Sequence, residues 1–167
     1  MVFSYYTKLS KANKAIYRKS DKIETLIINV EQPLYLSVEE LRACLETGNR
    51  KNTEQTARTI LNVITNDLGA PALKVKVLSS RPSNDVEELH GLYEPCENRK
   101  LATITVWMRT AKHKKVVAFR SFLRTLLHEL CHHLDYELFL LPDSFHTEGF
   151  FKREAHLFKQ LMNESDV

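Results

Sequence analysis

Two histidines four residues apart, with a glutamate beside the first, are the most chemically specific feature of this 167-residue chain. They stand as His128-Glu129-Leu130-Cys131-His132, an H-E-x-x-H pattern. On a helix, positions i and i+4 share a face one turn apart, so both imidazoles can reach one metal ion. Glu129, next to the first ligand, is placed to polarise a metal-bound water and take its proton. Random placement of the chain's His and Glu residues yields the pattern only about 0.03 times. The predicted chemistry is hydrolysis assisted by one Zn2+ per chain.

A catalytic zinc takes three protein ligands and keeps its fourth position open. Metzincins place the third ligand six residues past the second histidine, which here is Leu138, and Asp135 stands where their turn glycine would be. His146 is the best candidate instead. Thirteen residues separate it from His132, room to finish the helix, turn at Pro142 and return. Glu148, Glu154 and His156 compete for the role, and a glutamate in the last helix would make a gluzincin-type site. Asp135, three residues after His132, is expected to hydrogen-bond a ligand imidazole. His133 points off the metal face, Cys131 is expected in the core, and His90 and His113 read as loop histidines. Tyr93 is a candidate to stabilise an oxyanion, weighed against a packed strand tyrosine.

The elements that must position these residues follow from periodicity. Phe119, Leu123, Leu126, Leu127, Leu130 and Leu134 recur at helical spacing, predicting a long helix from about residue 116 that ends at Pro142. Phe150, Phe151, Leu157, Phe158 and Leu161 predict a last helix over 147–162. Strands are expected at 73–78, 89–93 and 101–107, with turns at 81–84 and 95–98. Upstream, the pattern predicts a basic helix over 8–22 and a strand at 26–30 ended by Pro33. A helix over 37–48, opened by a Ser37–Glu40 capping box, and another over 53–68 follow. Helices, then strands, then two helices make an α+β fold, with a small, mostly antiparallel sheet. Residues 1–70 are expected to pack on a catalytic core over 71–167 as one compact unit.

Composition narrows the class. Hydrophobic residues are 43% and charged residues 27%, and only 4 Gly and 5 Pro exclude collagen-like and low-complexity chains. No apolar run approaches the ~20 residues a membrane span needs. Three cysteines without a CxxC pair fit a reducing compartment and leave no thiolate zinc knuckle. The first residues lack a secretory pattern, so a cytoplasmic or nucleoid-associated setting is expected. Net charge is only +3, yet basic residues gather in two stretches. Lys8, Lys11, Lys14, Arg18, Lys19 and Lys22 lie in 8–22; Arg109, Lys112, Lys114, Lys115, Arg120 and Arg124 lie in 109–124. They are candidate DNA contacts, or simply solvated surface.

Four segments together resemble the core of SprT-like zinc metallopeptidases, which include the Spartan and WLM/Wss1-type proteases. They are His90-Gly91-Leu92-Tyr93-Glu94-Pro95, Asn98-Arg99-Lys100-Leu101-Ala102-Thr103-Ile104, Leu126 with Leu127 and the H-E-x-x-H run, and His146-Thr147-Glu148-Gly149-Phe150. The resemblance covers about residues 70–162. It implies a zincin-like fold, with His128, His132 and His146 on zinc and Glu129 as general base. It also implies a protein or peptide substrate and association with DNA. Thr147 stands where family members often have Gly, no cysteine pair follows the core, and the first 70 residues lie outside the likeness. Two other readings share the motif: a regulator-cleaving peptidase like the ImmA/IrrE proteins, and a non-catalytic zinc-containing domain that binds nucleic acid.

Overall fold

The computed structural model describes residues 2–82, 89–97 and 100–162. A 3-10 turn (Ser4–Lys8) leads into α1 (Lys11–Asp21), α2 (Gln32–Glu46) and α3 (Arg50–Leu68). Strands β1 (Lys74–Ser80), β2 (Gly91–Glu94) and β3 (Thr103–Arg109) follow, then α4 (Phe119–Glu137) and α5 (Glu148–Leu161). The class is α+β. The expected turns at 81–84 and 95–98, and the Asn98-Arg99 pair, fall partly outside the described residues.

Local chemistry accounts for most boundaries. Ser10, Asn49 and Thr147 cap α1, α3 and α5, each accepting a backbone N–H from three residues on. The single basic helix expected over 8–22 therefore breaks at Leu9 and Ser10. Gly69 closes α3 in the left-handed conformation, at φ 70°. Pro33 does not end a strand. It lies in the first turn of α2, where its missing N–H costs nothing. Ser37 is consequently inside that helix, its hydroxyl bonding back to Pro33 O (3.0 Å) rather than capping.

The expected strand at 26–30 forms no strand and joins no sheet. Side chains serve its backbone instead. Leu26 N–H donates to His156 Nδ1 (3.2 Å), Ile28 N–H to Gln160 Oε1 (3.0 Å), and Gln160 Nε2 donates to Leu26 O (2.7 Å). One face of α5 thus takes the place of a neighbouring strand.

The sheet is mixed, not mostly antiparallel, in the order β1-β3-β2. Strand directions alternate along the chain, as short connections require, but β3 inserts between the first two. It pairs parallel with β1 (Val75 to Ile104, Val77 to Val106) and antiparallel with β2 (Gly91 to Val106, Tyr93 to Ile104). Burial explains the order. Ile104, Val106, Trp107 and Met108 form an almost unbroken apolar run, which suits a strand covered on both faces. β1 alternates buried and exposed residues and takes an edge. One cluster of buried apolar side chains joins Leu34 and Leu41 of α2, Ile60 and Ile64 of α3, the sheet, and Leu123, Leu127, Leu157 and Leu161 of the last two helices. No helix among the described residues is long and apolar enough to cross a membrane.

Candidate metal centre

Helix α4 buries Leu123, Leu126, Leu127, Leu130 and Leu134 and turns His128 and His132 toward a cleft of about 820 Å³. After Glu137 the helix stops, and Leu140 adopts a left-handed conformation (φ 52°) that sends the chain back along the helix. Six residues later the return brings His146 onto the two helix histidines. Its Nε2 lies 3.0 Å from Nε2 of His128 and 3.0 Å from Nε2 of His132. Two ligands at ~2.0–2.1 Å from a tetrahedral zinc stand roughly 3.3 Å apart, so the spacing is close to that of a metal-bound set.

The other ring nitrogens set the tautomers. His128 Nδ1 donates to the Glu154 carboxylate (2.8 Å), which can only accept. Ser144 gives its hydroxyl proton to Asp135 Oδ2 (2.7 Å) and so accepts from His132 Nδ1 (2.7 Å). Both neutral imidazoles therefore present a bare Nε2 lone pair to the same point. His146 has one Nε2 proton at most and cannot serve both well. Three such atoms are a donor set that could hold a metal ion, since neutral imidazoles are the form that binds one. Burial, with His128 and His146 alongside, pushes His132 down to about 3. Burial and His128 also lower His146. Phe150 backs all three rings at centroid distances of 4.8–5.1 Å.

The loop carrying His146 is held from far away in sequence. Tyr5 Oη donates to His146 O (2.7 Å). Gly149 N–H donates to Asp21 Oδ1 (3.0 Å), and a Cβ at Gly149 would run into the backbone of Asp21. Beneath them Arg153, fully buried, pairs with Asp135 and donates to Ser20 O (2.9 Å) and Ile23 O (2.8 Å). A continuous chain of polar contacts thus runs from the end of α1 through Arg153, Asp135 and Ser144 to His132.

Glu129 faces the same cleft and is 7% exposed. Burial pushes its carboxyl up to about 7, against the lowering pull of His128 and with a further push from Glu154. Gly91 of β2 makes room for it. A Cβ there would lie 2.8 Å from Thr125 Cγ2 and closer still to Glu129 Oε1.

The other expected site residues are dispersed. Glu154 serves His128 from behind, Glu148 pairs with Lys152 (3.2 Å), and His156 holds Leu26. Asp135 reaches His132 only through Ser144. Tyr93 lines the cleft, its ring face toward His132 at 6.4 Å between centroids. Its hydroxyl, however, bonds to His133 Nδ1 (3.2 Å), and His133 Nε2 donates to Pro71 O (2.8 Å). In this arrangement the Tyr93 proton is turned to His133, away from the oxyanion role. In the basic stretches, Arg18 donates to Tyr6 Oη (2.8 Å) and Arg109 to Lys114 O (3.0 Å). Arg120 and Arg124 lie over the Phe158 ring. Ser144, Arg153 and Tyr5 carry no motif of their own, so sequence reasoning missed them, and it singled out Gly91 only as part of a segment, without its closeness to Glu129. A buried arginine is visible only once the helix face is known.

Comparison of the chain with protein-family models, with curated proteins and with solved structures finds no match.

Proposed function

We propose that this chain is a zinc-dependent metallopeptidase of the zincin type, with His128, His132 and His146 as ligands and Glu129 as general base. The observation that carries the reading is the convergence of three Nε2 atoms, two of them held as lone pairs by Glu154 and Ser144. Three imidazoles without a thiolate are a donor set that suits zinc and fills three of its four positions. Zinc held there supplies Lewis acidity and a water acidic enough to attack near neutral pH.

The remaining work falls to the chain's own groups. A carboxyl near 7 can take a proton from the attacking water and return it to the leaving amine, which assigns both transfers to Glu129. Gly91 keeps that carboxyl free of a neighbouring side chain. The shape of the cleft favours a polypeptide over a small molecule. β2 is an edge strand that lines the cleft, and among the described residues nothing pairs with its outer side. An extended chain can add along such an edge through backbone hydrogen bonds. The likeness to SprT-like metallopeptidases supports the same reading.

The test is zinc content and proteolysis of the purified chain, beside His146→Ala and Glu129→Gln. About one zinc per wild-type chain and clear loss in His146→Ala are expected. Glu129→Gln should keep its zinc and cut an unfolded protein substrate about 10²–10⁴-fold more slowly. Full activity in Glu129→Gln, or unchanged zinc in His146→Ala, overturns the assignment.

A further inference from the structure

We propose that His133, which lies outside the ligand set, is a positioning residue: by holding the Tyr93 hydroxyl it fixes strand β2, the edge along which a polypeptide would lie, beside helix α4. The proposal rests on the peptidase reading and names a residue that serves its substrate edge.

His133 is wholly buried, and both of its ring nitrogens are used. The carbonyl of Pro71 can only accept, so Nε2 carries the proton and donates to it (2.8 Å). Burial lowers the basicity of the ring and keeps it neutral. Nδ1 is therefore a bare lone pair, and the Tyr93 hydroxyl donates to it (3.2 Å). Burial also pushes the Tyr93 phenol up, so its proton stays on the oxygen. A single imidazole thus joins α4, which carries it, to the loop ahead of β1 through Pro71 and to β2 through Tyr93.

The spacing of the contacts shows what this tie controls. Gly91 sits against Glu129, and Tyr93, two residues on, bonds to His133, four residues on. Two strand residues advance about 6.6–6.8 Å and four helical residues about 6 Å. Strand and helix therefore run in step, with Glu129 at one contact and His133 at the other. Gly91 has no side chain to hold its end. β2 is four residues long, and among the described residues its backbone ladder is with β3 alone. Tyr93 supplies the pin. Its ring packs on His132 and Tyr136, at centroid distances of 6.4 and 5.8 Å, and its hydroxyl is stopped by His133. Offset rings tolerate a range of displacements, whereas a hydrogen bond is confined in length and direction. His133 therefore gives the strand one position beside Glu129 and the histidine cluster.

Isosteric substitutions separate the two hydrogen bonds. Asparagine places an amide oxygen near Nδ1 and keeps an acceptor for Tyr93, while glutamine places an amide N–H near Nε2 and keeps the donor to Pro71 O. Zinc-loaded wild type, His133→Asn, His133→Gln, Tyr93→Phe and the last two combined are compared in cleavage of a fluorogenic, extended peptide. Binding of the same peptide is followed by anisotropy with Glu129→Gln added to each, and urea gives stability. In His133→Gln and in Tyr93→Phe, KM and Kd should each rise about three- to tenfold, the worth of one hydrogen bond, with kcat changed less. The combined variant should rise no further, because both changes remove the same bond. His133→Asn should keep KM within about twofold of wild type, although it gives up the Pro71 bond and some stability. A role in stability alone predicts the reverse: a smaller folded fraction lowers apparent kcat, leaves KM in place, and is worst where the urea midpoint falls most. That pattern, or an unchanged KM and Kd in His133→Gln, overturns the proposal, and cleavage by wild type then leaves the peptidase reading standing. A loss of kcat in Tyr93→Phe that His133→Gln does not share also overturns it, because the hydroxyl then acts on the substrate itself. If wild type does not cleave, yet peptide binding weakens in His133→Gln and not in His133→Asn, the positioning role is upheld and the peptidase reading falls. Folded wild type that neither cleaves nor binds the peptide overturns both.

Discussion

His128 and His132 are placed by one helix, whereas His146 is placed by its own loop and by residues at the far N-terminal end of the chain. Helical geometry alone sets the first pair, and the buried leucines of α4 only have to keep the helix against the sheet. His146 has no such local rule. It depends on the left-handed turn at Leu140, on Tyr5, on Gly149 against Asp21, and on the buried Arg153 below. The loop half of the site should therefore respond most to substitutions far away in sequence, and the helix half only through the polar chain that reaches His132.

The harshest way to probe that difference is Arg153→Met. The change leaves Asp135 charged and buried, and takes donors from Ser20 O and Ile23 O. Removing one partner of a buried pair costs about 3–5 kcal/mol. Urea unfolding of the metal-free chain should show a loss of that size. A loss under about 1 kcal/mol would mean that the polar chain behind His132 does not hold the loop.

The helix half carries its own signature in acid. His132 is held at about 3 in the folded metal-free chain and returns to 6.5 on unfolding. Between these values the unfolded chain binds the extra proton, so this stabilisation is present above 6.5 and is lost as pH falls toward 3. Glu129 acts in the opposite sense. Its carboxyl is raised from 4.5 to about 7, so the folded chain binds the extra proton there and loses stability as pH rises through that window. Glu129→Gln deletes only the second effect. Its stability relative to wild type should therefore grow by up to about 1.4 kcal/mol per pH unit between 4.5 and 7. Parallel urea midpoints across that window for the two proteins would rule the linkage out.

Between the two halves stands Ser144, on the loop but serving a helix ligand. Ser144→Ala leaves Asp135 Oδ2 and His132 Nδ1 without their shared hydroxyl. Losing such a partner behind a ligand histidine typically costs about 10–100-fold in metal affinity. Competition with a chromophoric chelator measures this, and Ser144→Thr should recover most of it. An unchanged affinity in Ser144→Ala would show that His132 needs no orienting partner.

How much of this was legible in the residues follows the same division. The helix ligands, the long amphipathic α4 and the alternating β1 are local patterns, and periodicity shows them. The segment 26–30 has the composition of a strand, yet its partners are His156 and Gln160, side chains 130 or more residues away. The sheet order turns on which strand is buried on both faces, which the unbroken run in β3 hints at but does not establish. Ser144 and Arg153 become meaningful only when the loop returns beneath the helix. No periodicity marks them, because their partners lie in other elements.

The gentlest test of the division is Tyr5→Phe. The hydroxyl makes one hydrogen bond, to His146 O, from a 3-10 turn with no buried residue. The ring also rests on Phe3 and Tyr17, and phenylalanine keeps those contacts. What is lost is one partly exposed hydrogen bond, about 0.5–1.5 kcal/mol. If that bond restrains the loop, the loss appears in the metal: zinc affinity should fall by roughly two- to tenfold, the same energy read as a binding constant. Metal-free stability should change by no more than the bond itself. If stability drops while zinc affinity stays put, Tyr5 anchors the N-terminal turn and contributes nothing to the third ligand. His146 would then owe its place to the turn at Leu140, to Gly149 and to the buried arginine.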